Sequence, residues 1–146
     1  MKIPKSIKTL GLVSLLGLAG CGSKEGKSIS GIEMVANLTY MHHIKTPGEN
    51  TYYFEKKLND GRILQITYRG DRAKYGETTP EDSVTINLTY GKSKLELHDA
   101  GLNGLNEREG DYLRIMRPGI TIEVEPGNIN ELYGRVVDTS IHALAP

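Results

Sequence analysis

Ile120-Thr121-Ile122-Glu123-Val124-Glu125 alternates apolar and polar side chains at every step. A period of two puts successive side chains on opposite faces, as a β-strand with one covered face requires. The same alternation reads over Thr51 to Leu58, Arg62 to Arg69, Ser83 to Tyr90, Lys94 to His98 and Tyr112 to Met116, and also over Ile32 to Met41 and Leu132 to Val137. Counted together these runs predict about eight strands. Beyond residue 31 no window is read as keeping apolar residues at helical spacing for three turns. Asn59-Asp60-Gly61 falls between two runs as a hairpin signal, because Asp-Gly supplies the positive φ angles of tight turns. Pro118-Gly119 marks a second turn, and Pro47-Gly48 and Pro126-Gly127 punctuate the chain in the same way. The expected class is all-β, an antiparallel β-sandwich or small β-barrel.

Upstream of these runs the composition changes. Lys2, Lys5 and Lys8 precede an apolar stretch from Leu10 to Ala19, which closes on Leu18-Ala19-Gly20-Cys21. A membrane span needs about 20 predominantly apolar residues, so this stretch is too short and reads as the h-region of an export signal. The Leu, small, small, Cys ending resembles the lipobox of bacterial lipoproteins, and Cys21 is the only cysteine in the chain. The resemblance covers residues 1–21. It implies a diacylglyceryl group on the Cys21 thiol and cleavage just before Cys21, which then starts the mature protein. Gly22 rather than an aspartate follows the cysteine, which in enteric lipoproteins implies transfer to the outer membrane, with the domain facing the periplasm. Acyl chains contribute roughly 0.8 kcal/mol per buried methylene, and two or more hold a protein firmly to a bilayer. Residues 1–20 are therefore read as a signal peptide and residues 21–31 as a lipidated flexible tether. Between Gly22 and Gly31 only Ile29 is apolar, too little to order the segment.

Residues 32–146 suffice for a single domain. The chain carries 18 basic and 18 acidic side chains, and three of the lysines belong to the signal, so the remainder is slightly acidic with no charged patch. That excludes the basic face expected of a nucleic-acid binder. With its one cysteine committed to lipid, the domain has no disulfide and no thiolate metal site, and its stability must come from packing.

The chemistry-bearing residues form no recognisable catalytic motif. His42 and His43, read as neighbours on a strand, would point to opposite faces and could not share an ion. A cross-strand pairing of one of them with His98 or Asp99 would be needed for zinc or copper, or for catalysis. Ser83, Ser93 and Ser140 lie in no nucleophile-elbow context. Glu123 and Glu125 read as a solvated strand face, and the glycine-rich run Gly101 to Asn106 lacks the lysine of a phosphate loop. No cofactor and no enzymatic activity are expected.

Two loops are long, Gly70 to Asp82 and Asp99 to Asp111, and long loops on rigid scaffolds often bind. Leu102 and Leu105 either cap the core or stand out as a partner-binding tip. Tyr52 and Tyr53, with Tyr75 and Tyr112, could form an aromatic contact surface, although alternation sends one of Tyr52 and Tyr53 inward. The expectation is a lipid-anchored, non-catalytic envelope protein whose β-domain binds another protein in an assembly, structural or inhibitor role. Small β-barrel lysozyme-inhibitor lipoproteins offer an analogy at fold level only, since their disulfide and motifs are unmatched. The alternative is a carrier whose barrel, lined by Leu64, Ile66, Tyr68, Ile86 and Leu88, holds an apolar ligand or lipid. A last feature is an echo: Asn37-Leu38-Thr39-Tyr40 recurs as Asn87-Leu88-Thr89-Tyr90, with Ile66-Thr67-Tyr68 repeating its end, as a duplicated hairpin would produce.

Overall fold

Strand alternation is at its clearest from Ser83 to Tyr90, where every second residue is buried, and this run lies at the centre of one antiparallel sheet. The computed structural model describes residues 30–71 and 81–145. The signal peptide, Cys21, the tether up to residue 29 and Tyr75 lie outside the described residues. The sheet has seven strands, β1 (Lys45–Gly48), β2 (Thr51–Lys57), β3 (Ile63–Arg69), β4 (Ser83–Tyr90), β5 (Ser93–Ala100), β6 (Tyr112–Arg117) and β7 (Ile120–Glu123). They pair in chain order, each antiparallel to the next. The expected antiparallel β architecture is therefore present, as an open sheet with β1 and β7 at its edges.

The second layer is helical. Helix α1 (Gly31–His42) and helix α2 (Pro126–Leu144) pack against each other, and α1 lies on β2, β3 and β4. Both replace expected strands, Ile32 to Met41 and Leu132 to Val137. On α1 the buried residues are Ile32, Val35, Ala36 and Thr39, a spacing of three and four that defines a helix face. Its start is fixed by a capping box: Ser30 Oγ accepts from the Glu33 amide, and the Glu33 carboxylate accepts from the Ser30 amide. Ser30 and Gly31 thus belong to the domain rather than to the tether. On α2 the buried residues are Val136, Val137, Ser140, Ala143 and Leu144, again one helical face. Pro126, read as turn punctuation, occupies the helix start, where its missing N–H costs nothing.

The repeated tetrapeptide shows how far context decides. Asn87-Leu88-Thr89-Tyr90 ends β4, whereas Asn37-Leu38-Thr39-Tyr40 is helical within α1. It marks no duplicated hairpin.

Between the layers Leu64, Ile66 and Tyr68 of β3, Val84, Ile86 and Leu88 of β4, Leu97 of β5 and Leu113 of β6 meet the two helices. Register aligns Phe54, Ile66, Ile86, Leu97 and Leu113 in one row across five strands. Each fully buried aliphatic side chain contributes on the order of 1.5–3 kcal/mol, so this row and its neighbours are the main stabilising element. The alternating run at Ile120–Glu123 forms a strand but is not half-buried: Ile120 is 55% and Ile122 37% exposed, because the helices do not reach over the β7 edge.

Candidate functional site

With both helices on one face, the opposite face of the sheet carries the side chains of reversed parity. Cross-strand register assembles them into two adjacent rows. One runs Tyr53, Thr67, Thr85, His98, Tyr112, and the other Glu55, Gln65, Asn87, Glu96, Arg114, Glu123. No helix or strand of the described residues covers them.

The rows are held by their own contacts. Gln65 Nε2 donates to Glu55 Oε2 at 2.7 Å and the Tyr53 hydroxyl donates to the same oxygen at 3.0 Å. These donors hold the Glu55 carboxyl below the usual carboxylate range, while partial burial and the nearby Glu55 charge push the Tyr53 phenol up. At the other end His98 stacks on Tyr112, ring centroids 5.5 Å apart, and its Nδ1 lies 2.9 Å from Thr85 Oγ1. Arg114 places its guanidinium 4.1 Å from the Tyr112 ring centroid and donates to Glu96 Oε1 at 3.1 Å. Partial burial, with the Glu96 charge beside it, raises the Tyr112 phenol. Within the same row Asn87 Oδ1 and Arg114 Nε are shielded by their neighbours and make no hydrogen bond. The face therefore presents immobilised aromatic rings and paired charges.

The residues singled out in the sequence disperse. Tyr53 lies on this face, and Tyr52 points the other way into an aromatic cluster, edge-on to Tyr40 at 4.9 Å and stacked on Tyr68 at 5.8 Å. Leu102 is 3% exposed and belongs to the core, so it caps the fold and is not a contact tip; Leu105 packs half-buried against the same core. His42 and His43 end a helix rather than a strand. His43 Nδ1 bonds the Tyr40 carbonyl at 2.8 Å, in the layer opposite His98. Asp99 points inward, so adjacent His98 and Asp99 serve different faces. The convergence that a metal site or a histidine-based active site requires is not formed by these residues, and no group of three His, Cys, Asp or Glu among the described residues is placed to hold an ion.

Sequence reading missed the polar staples of the loop ends. Asp99 is fully buried and accepts from the Tyr133 hydroxyl at 2.7 Å, the Gly104 amide at 3.0 Å and the Asn103 amide at 3.3 Å. Asp111 accepts from the amides of Ala100 and Asn106. Together they brace the Asp99 to Asp111 loop from within, a task that short carboxylates near glycines signal. Above this loop an open groove of about 420 Å³ runs between the start of α1, Asn103-Gly104 and Tyr133 to Asp138 of α2. The carrier interior, by contrast, is occupied: Leu64, Ile66, Tyr68, Ile86 and Leu88 are themselves the core, at most 7% exposed, and no barrel closes around them.

No family model matches the chain, and no curated protein or solved structure is detectably similar to it.

Proposed function

We propose that this protein is a lipid-anchored envelope protein, held through Cys21 at the outer membrane and facing the periplasm, whose non-catalytic β-domain binds another protein through the helix-free face of its sheet. The anchor reading rests on Leu18-Ala19-Gly20-Cys21 at the end of the apolar leader. The binding reading is carried by one observation, the two in-register rows from Tyr53 to Tyr112 and from Glu55 to Glu123, left without a covering layer. Aromatic rings and arginine are the groups enriched at protein contacts, because they bury much area with little loss of side-chain freedom. Tyr53, Tyr112 and Arg114 are already fixed by neighbours, so a partner that docks on them pays little further ordering entropy.

The test uses the full chain in its own envelope, with a photo-crosslinking residue at Tyr112 or, as control, at the exposed Arg135 of α2. A single stoichiometric partner captured from Tyr112, not from Arg135, and lost in the Arg114→Ala background supports this reading. Equal capture from both positions, or none, overturns it. Fatty-acid labelling of the native chain and of Cys21→Ser tests the anchor separately: label must appear in the first and be absent from the second.

A further inference from the structure

The two edges of the sheet are built differently. Edge β1 carries Lys45 and Pro47 and an irregular register against β2, devices that discourage another chain from adding to a sheet. Edge β7 has no proline, lysine or irregularity, and leaves Ile120 and Ile122 exposed.

The hairpin fixes which backbone groups β7 offers. Pro118 and Gly119, the latter at φ 78°, form a two-residue turn between paired Arg117 and Ile120. The residues that flank such a turn bond to each other, and bonding then alternates along the strand. Ile120 and Ile122 therefore direct their N–H and C=O groups towards β6, whereas Thr121 and Glu123 direct theirs outwards.

We propose that β7 pairs with β7 of a second copy, antiparallel about a twofold axis at Ile122, joining the two sheets into one. This inference is independent of the helix-free face. Only that centre lets Thr121 of each copy exchange both backbone bonds with Glu123 of the other, so every outward group of β7 is satisfied. It also sets Ile122 against itself and Ile120 against Val124, closing the apolar strip that the helices leave open. A centre one residue later would set Glu123 against Glu123, a destabilising like-charge pair. In the proposed register Glu123 meets Thr121 and keeps its own cross-strand partner Arg114.

The register is tested by cysteine substitution in the full chain. Ile122 becomes a non-hydrogen-bonded pair with its counterpart, Cα atoms about 4.5 Å apart, within disulfide reach. Thr121 lies more than about 7 Å from its counterpart, outside that reach. Mild oxidation should convert Ile122→Cys to disulfide-linked dimer, with Thr121→Cys no higher than the native chain. The native chain should have twice the monomer mass by light scattering. Thr121→Pro removes an outward donor without touching a bond to β6, and should give a folded monomer. A native monomer, equal cross-linking at both positions, or a β7 edge that takes an extended segment of a different protein overturns the proposal.

Discussion

The Tyr133 hydroxyl donates to Asp99 Oδ2 at 2.7 Å, and this bond ties α2 to the end of β5 and the loop behind it. The Asp99 carboxyl is raised above the ordinary carboxylate range, first because burial penalises its charge, with Tyr133, Gly104 and Asn103 as opposing donors. A carboxyl whose folded pKa exceeds its unfolded value gives its full stabilisation below the unfolded value and loses it as pH rises through the folded one.

Tyr133→Phe removes a donor to the charged form and so raises the folded value further. The expected cost at neutral pH is about 1–2 kcal/mol, the usual price of leaving a buried acceptor short of a partner. It should shrink below about pH 3.9, where Asp99 is protonated in both states. Urea unfolding of both proteins at the two pH values measures this; a cost that does not change with pH would show that Tyr133 matters only for packing.

Gly70 is required for a different reason. A Cβ there would fall on Asp82 Oδ1 and the Tyr68 hydroxyl, and that hydroxyl donates to Asp82 Oδ2 at 3.0 Å within the core. Gly70→Ala must push that buried pair apart, and overpacking of this kind costs about 1–3 kcal/mol. A thermal midpoint equal to that of the native protein would contradict the close approach.

The strands were legible because their alternation is real: β4 and β5 of the sheet appear within a residue or two of the periodic runs. Alternation tells which side chains share a face, not whether the face is covered, which is why Ile120 and Ile122 read as half-buried and are exposed. The helices were hidden for particular reasons. In α1 the buried face includes the polar Thr39, Leu38 and Tyr40 pack only partly buried at its side, and the apolar Met34 is exposed, so the helical stripe is blurred; the legible signal was Ser30 three residues before Glu33. In α2 small residues carry the contact, Ser140 and Ala143 among them, and Pro126 at the start was the available sign. The β1 edge has no buried residue and so leaves no periodic trace. The helix-free face could not be recognised while its cover was expected to be a second sheet.

Leu102 separates a packing residue from a binding residue. It is buried although its backbone has φ 55°, a conformation that favours glycine, so the side chain is kept there by what it fills. Leu102→Ala should cost about 2–4 kcal/mol through the cavity it leaves. Denaturant unfolding reads that loss, while partner affinity of the folded fraction should stay the same; weakened binding with unchanged stability would restore the loop as a contact tip.

Arg114 should behave in the opposite way. Its guanidinium lies over the Tyr112 ring and bonds Glu96 on the outer face, with the two side chains 33% and 15% exposed, and such a pair contributes modestly to folding, roughly 1 kcal/mol. At the centre of a contact the same group is worth more, since truncating an anchoring arginine commonly costs about 2 kcal/mol or more, equivalent to over tenfold in affinity. Arg114→Ala should therefore weaken partner binding at least tenfold with a small change in unfolding free energy. Arg114→Lys keeps the charge but loses the guanidinium over the Tyr112 ring, and should fall between the two. Titration calorimetry with the captured partner, beside unfolding curves for each variant, decides the matter. If all three proteins bind equally well, the docking face lies elsewhere on the sheet.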